Sequence, residues 1–397
     1  MTKLAQTLVF CCAFVILGLA SASFGPGIPS FAQAAGATLA HTGMIFVFHR
    51  LGYLSGSLGG GRIIDRISGN RLTGSVLLVM AAALAVLPFT RSLLTLFAAV
   101  LALGAAQGIT EVGANTGVVR LHGDKAGPYM NGLHLSFCIG AIVSPLVISV
   151  SLHYAASIGP AFWLLGTLAC AAGLCTLRLP AGISPRKAGK EEAAHSGEEL
   201  SPAEKTSPAG PLLTAFFAVL MFFASAAETS FSGWVYSYAL KTSLAGEAAA
   251  GIITSLFWGA MTAGRLLGVY IIRRIGSRRL LLASCTGAAV SLLPLIFAAG
   301  RPAGLWLSVI LAGFFSAPLF PTAFTLAGER KILTGSVAGL LVASSSVGSM
   351  TIPPLIGRLM ESRGPWIFPH IIILAQIMAF LVLLGILRLA GKKAVPS

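Results

Sequence analysis

The sequence predicts an all-α, polytopic membrane protein with twelve transmembrane helices arranged as two pseudo-symmetric six-helix halves. Three observations carry this expectation. Of the 397 residues, 56% are hydrophobic and only 10% are charged, whereas a soluble domain carries roughly 25% charged residues. Apolar runs of about 20 residues, each long enough to cross about 30 Å of hydrocarbon, recur along the whole chain. Finally, a single long polar stretch, 178–208, divides these runs six and six. It carries four prolines, five glutamates and several lysines, the composition of a linker.

Taken in order, the spans of the first half fall at 5–30, 42–64, 72–90, 93–119, 127–152 and 158–178. The first ends in Gly25-Pro26-Gly27-Ile28-Pro29, which is expected to bend or unwind its outer end. The second is paved with Gly52, Gly56, Gly59, Gly60 and Gly61, a small-residue face that lets two helix backbones approach closely. Arg71, Arg91, Arg120 and Lys125 punctuate the next three. The second half is expected at 211–239, 249–272, 279–299, 303–328, 334–357 and 366–389. Its breaks fall at Lys241, the Arg273–Arg279 cluster, Arg301, the Glu329-Arg330-Lys331 run, and Arg358 with Arg363. The domain boundaries are therefore 1–178, a cytoplasmic linker 179–209, and 210–397.

Charge placement orients this map. With both termini in the cytoplasm, twenty lysines and arginines fall on the inner segments and five (Arg91, Lys241, Arg301, Arg358 and Arg363) on the outer ones. Such a bias is the positive-inside pattern of a multi-pass protein in a cell (inner) membrane. The formal net charge of +15 is thereby accounted for, and no nucleic-acid partner is expected. All six cysteines lie in apolar runs without metal-ligand spacing, so they read as small buried hydrophobes. No GxSxG, HExxH or Walker loop stands in a credible context. An enzyme is excluded, and neither cofactor nor metal centre is expected.

Charges inside a membrane are costly and call for a reason. Those within the predicted spans are His49, Arg50, Glu111, His134, Glu228 and Arg265. Gln107, Glu111 and Asn115 recur every four residues, so they stack on one helical face as a ladder suited to substrate hydroxyls. Glu111 is also placed to bind and release a coupling ion. Asn131 and His134 are one turn apart on the fifth span and are further substrate candidates, with helix packing as the alternative for His134. The seventh span turns polar and aromatic past its midpoint, and its glycine, Gly233, is expected to break the helix there. There Glu228, Thr229 and Ser230 form an oxygen-only cluster suited to Na⁺. Trp234 offers a flat face for a sugar ring, packing being its alternative, and Trp258 and Tyr53 join it as binding candidates. Arg50 and Arg265 need anionic partners, and Glu111 and Glu228 are the deep carboxylates available for ion coupling. Glu329, beside Arg330 and Lys331, reads as a solvated or loop-pairing residue.

The motif Gly61-x-x-x-Asp65-Arg66, ending the second helix and returning in altered form as Arg273-Arg274-Ile275-Gly276-Ser277-Arg278 after the eighth, resembles the loop signature of the major facilitator superfamily. The resemblance implies that Gly61, Asp65 and Arg66 form a gating latch, and that the second copy, with Arg273 in the acidic position, does not. Several segments carry a narrower resemblance. Gly108-x-x-Glu111-x-x-x-Asn115 and Asn131-x-x-His134 look like the fucose–proton symporter group. Phe231-x-Gly233-Trp234 and Phe257-Trp258 with Gly264-Arg265 look like its sodium-dependent glucose transporter branch. This resemblance implies that Glu111 is the carboxylate of proton coupling and sugar binding. The stretch 21–29 holds no acid where the symporters place one.

The function expected is secondary active transport of a small polar solute, a sugar or polyol, coupled to H⁺ or Na⁺ by alternating access. The alternative is a proton-coupled exporter of an amphipathic compound, drug or lipid. The expected partners are the small-molecule substrate, the coupling ion and the lipid bilayer, with the protein acting as a monomer.

Overall fold

The computed structural model describes residues 3–64, 69–123, 126–178, 210–298, 300–330, 332–333 and 335–391. Asp65 and Arg66 of the expected latch, and the expected linker 179–209, lie outside the described residues. Gly61 falls in the last turn of a helix. Among the described residues the secondary structure is helical throughout, with no strand. The chain forms two compact units, Met1–Ala203 and Glu204–Ser397.

The first unit contains α1 (Lys3–Ala22), α2 (Phe24–Ala34), the single turn α3 (Leu39–Thr42), α4 (Ile45–Ile64), α5 (Gly69–Val86), α6 (Leu93–His122), α7 (Ala126–Ala155) and α8 (Gly159–Leu177). Ser92 caps α6 by accepting from the backbone N–H of Thr95 (3.3 Å). Gly123, at φ 52°, lets the chain leave that helix. The expected unwinding at 25–29 is not found: this run is helical within α2, and the interruption lies at Ser23. Pro26 lacks the N–H that the Ala22 carbonyl would accept, so the break falls one turn before the expected place.

The second unit contains α9 (Gly210–Lys241), α10 (Glu247–Val290), α11 (Leu293–Phe297), α12 (Pro302–Ser316), α13 (Leu319–Glu329), α14 (Gly335–Ser362) and α15 (Ile367–Gly391). α9 runs unbroken through Gly233, so the predicted glycine-broken segment is also a continuous helix. The span expected at 303–328 is instead split at Ala317 and Pro318, where Pro318 and Pro321 each remove a helical donor. α10 comprises the two expected helices, which meet directly at Gly276 (φ 78°, ψ 162°), where the backbone is non-helical.

Ten helical stretches among the described residues are long and apolar enough to cross a membrane. One of them, Glu247–Phe297, has 51 residues, about 75 Å of helix, which is two crossings folded at Gly276. α4 is not among the ten because its glycines, His49 and Arg50 dilute its hydropathy. Both units pair their helices alike: α1 packs on α7, α4 on α6 and α5 on α8, while α9 packs on α14, α10 on α12 and α10 on α15. The internal repeat is thus structural as well as sequential. Leu213, Phe217, Leu281, Leu326, Leu383 and Ile386 belong to the core of the second unit. Leu58, Leu94, Leu266 and Phe297 are exposed, an apolar surface that suits lipid and not water. The six cysteines are free thiols; Cys138 and Cys285 are buried as expected, whereas Cys12 and Cys175 are exposed.

Candidate functional site

The site grows from the contact of α4 with α6. Gly52 and Gly56 lie against the backbone of Leu101 and Ala105, and Gly104 and Gly108 against that of His49 and Tyr53; a methyl group at any of the four would overlap the facing chain. This interlocked approach places polar side chains of the two helices opposite one another. His49 and Gln107 are 58 residues apart, as are Tyr53 and Glu111, and Ser57 and Asn115 fall at the same offset. A constant offset means that the helices run parallel. Four residues of α-helix separate each pair from the next by about 6 Å. The result is two polar rungs, His49–Gln107 and Tyr53–Glu111.

The rungs are not alike. In the outer one, His49 Nε2 donates to the Gln107 carbonyl oxygen, and Gln107 Nε2 donates in turn to Ser21 Oγ on α1 (3.4 Å). The ring of Phe24 meets His49 edge-on at 4.9 Å. Gln107 is buried and bonded at both ends of its amide, an anchor that ties α1 to the seam. In the second rung the Tyr53 hydroxyl donates to Glu111 Oε2 (2.6 Å), and the Arg50 guanidinium lies over the Tyr53 ring, 5.7 Å from its centre. Arg50, predicted to seek an anion, thus approaches Glu111 through the tyrosine between them. Ser57 Oγ packs on Gly108 and is a hydrogen-bond partner of the Tyr53 hydroxyl. Asn115 Oδ1, one turn beyond Glu111 on α6, is buried without a hydrogen-bond partner among the described residues.

Asn131 and His134 lie outside this seam. Both are exposed on α7, and the His134 ring meets Phe14 of α1 edge-on at 5.6 Å.

The second unit carries its own polar seam, between α9 and α14. Ser225 bonds Ser345 (2.6 Å), Thr229 bonds Ser349 (2.9 Å), and Trp234 Nε1 donates to the Pro353 carbonyl (2.8 Å). Trp234 is fully buried, so its ring presents no face to a solute and the packing alternative describes its position. Glu228, Trp258 and Arg265 are half-buried. Glu228, Thr229 and Ser230 do not form one cluster: successive residues of an unbroken helix point about 100° apart, and the Thr229 hydroxyl is turned to Ser349. At the bend of α10, the Ser277 hydroxyl donates to Glu329 at the end of α13, the loop pairing read for Glu329.

The sequence singled out Gln107, Glu111, Asn115, Tyr53 and Arg50, and the structure brings them to one seam. It did not assign His49, Ser57 or Ser21 to the site. For the first two a signal existed: His49, Tyr53 and Ser57 repeat the four-residue spacing of Gln107, Glu111 and Asn115 on a helix of matching glycines.

Two repeated helical units, with buried polar seams inside an apolar exterior, define a multi-pass membrane transporter rather than an enzyme. Residues 10–353 match the Major Facilitator Superfamily, and the chain belongs to that family. Among curated relatives it is 27% identical over 375 residues to sodium-dependent glucose transporter 1A of Mus musculus, covering 87% of this chain and 88% of the mouse protein. It is 26% identical over 380 residues to sodium-dependent glucose transporter 1 of Homo sapiens, covering 88% of this chain and 73% of the human one. The crystal structure of the nucleoside transporter NupG superimposes with a TM-score of 0.74 at 16% identity, over 99% of this chain and 100% of that one, a likeness of fold.

Proposed function

We propose that this protein is a secondary active transporter of a small sugar or polyol, driven by H⁺ or Na⁺ through alternating access. The observation that carries the reading is the second rung, where a carboxylate on the α4–α6 seam is held by a tyrosine hydroxyl. Such a carboxylate can exchange its partner for an ion or for a substrate hydroxyl. The names of the relatives aligned over most of the chain agree with a sugar and with sodium. In this reading Glu111 couples the ion, Asn115 and Tyr53 meet the solute beside it, and Gln107 braces the seam. Asn131, His134 and Trp258 are further solute contacts, with Glu228 and Arg265 as charges of the second unit. Gly61, Asp65 and Arg66 serve as the latch. The protein acts as a monomer in the cell membrane with both termini in the cytoplasm, and 179–209 links the two halves.

Uptake into proteoliposomes under imposed Na⁺ or H⁺ gradients tests this. Wild type should accumulate a sugar under one of the gradients, and Glu111→Gln should abolish gradient-driven accumulation. Unchanged accumulation by that variant would remove Glu111 from the coupling step.

A further inference from the structure

The four arginines at the bend of α10 have no part in either polar seam. α10 holds two membrane crossings folded at Gly276, so the bend falls at a membrane surface. Arg273, Arg274, Arg278 and Arg279 flank it and are all exposed. Arg274 is fixed in place: its Nη2 donates to the Tyr270 hydroxyl (2.8 Å), and its guanidinium lies over the Tyr270 ring, 5.2 Å from the centre. Residues four apart share a helical face, so Leu266, Tyr270 and Arg274 form one line, and Val269 and Arg273 another. Leu266, Val269 and Tyr270 are each more than half exposed. An apolar, outward-facing stripe thus ends at two guanidinium groups. Glu329 on α13 takes the Ser277 hydroxyl, and among the described residues no carboxylate pairs with any of the four arginines. Arg278 and Arg279 stand in the first turn after the bend, where the helix dipole is itself positive, so the helix adds to the positive field instead of offsetting it.

We propose that this bend binds an anionic phospholipid, with the phosphate on the arginines and the acyl chains along Leu266, Val269 and Tyr270. Guanidinium groups offer phosphate oxygens paired N–H donors, and anionic headgroups are drawn to basic residues beside a membrane helix. The charge excess selects the headgroup. A zwitterionic lipid brings its own ammonium into the same field, whereas an anionic one brings negative charge alone. The apolar stripe selects the source, since a free phosphate would use the arginines and leave the stripe unused. Bound there, the lipid lies across the joint between the two crossings and holds the bend at headgroup level. The site belongs to the second unit alone and is independent of the solute and of the coupling ion.

The test uses the full-length protein in detergent, titrated with phosphatidylglycerol, with phosphatidylcholine of the same acyl chains, and with inorganic phosphate. Native mass spectrometry counts the retained lipid, and the melting temperature follows saturation by mass action. Wild type should retain phosphatidylglycerol at about tenfold lower concentration than phosphatidylcholine, and inorganic phosphate should leave the melting temperature unmoved. Arg278→Gln with Arg279→Gln should raise the half-saturating phosphatidylglycerol concentration about tenfold. Lys392→Gln with Lys393→Gln removes the same charge elsewhere and should change it less than about twofold. Tyr270→Leu keeps the net charge but releases Arg274, and should weaken binding about threefold, a loss that diffuse attraction would not produce. Melting temperatures without added lipid show whether each variant is folded. Equal retention of the two lipids overturns the proposal, as does an equal loss in the two charge pairs or unchanged binding by Tyr270→Leu. A rise in melting temperature with inorganic phosphate alone would assign the arginines to a soluble anion and overturn it too. So would an arginine effect that vanishes once Glu191, Glu192, Glu198 and Glu199 are replaced by glutamine, because the arginines would then serve the linker.

Discussion

Tyr53 offers the sharpest single-residue test, because its hydroxyl is the described donor to Glu111. Tyr53→Phe keeps the ring beneath Arg50 and deletes only that donor. A hydrogen bond to a charged group contributes about 1.5–3 kcal/mol, so the ion dependence of uptake should shift by about ten- to a hundredfold. An unshifted ion dependence would make Tyr53 a packing residue. His49→Ala should act differently. It frees the Gln107 amide and loosens the tie to Ser21, lowering the melting temperature while leaving the identity of the coupling ion unchanged; a switch of ion specificity would place His49 in the site itself. The α6 half of the ladder was legible in the sequence because Gln107, Glu111 and Asn115 share a period within one helix. The rungs were not legible, since the register of α4 against α6 is a property of neither helix alone. Trp234 shows the converse: its chemistry suggested a sugar platform, but burial and the bond to Pro353 are set by a helix more than a hundred residues later.

At the scale of elements, helix identity was plain from hydropathy, and helix interruptions were not. The sequence placed breaks at 25–29 and near Gly233, whereas the chain breaks at Ser23 and at Ala317–Pro318; the break expected within Arg273–Arg279 falls at Gly276. A glycine or proline marks where a helix can yield; the packing around it decides whether it does. Gly276 is the case where the backbone demands the residue. Its φ and ψ lie in a region almost confined to glycine, so Gly276→Ala should cost about 1–3 kcal/mol, read as a lower melting temperature. Gly56 is demanded by contact instead, since any side chain there meets the Ala105 backbone. Gly56→Val should force α4 from α6 and remove solute uptake together with stability. A Gly56→Val protein with normal uptake would show that the tight approach is dispensable.

At the scale of the whole molecule, each unit holds its own helix pairs, and the sequence divides the chain at one polar stretch and repeats a glycine motif. Covalent continuity through 179–209 should then matter for assembly in the cell more than for the finished protein. A specific protease sequence inserted after Gly197 tests that expectation together with the orientation drawn from the charges. Twenty basic residues on the expected inner segments against five on the expected outer ones predict that the stretch faces the cytoplasm. Added protease should therefore cut in inside-out vesicles and spare sealed right-side-out ones. After cutting, both fragments should stay in the membrane, because each carries six apolar spans, and gradient-driven uptake should persist near its uncut level. Cleavage from the outer face would invert the assigned topology. Loss of either fragment from the membrane, or collapse of uptake on cutting, would show that the units depend on the connecting chain.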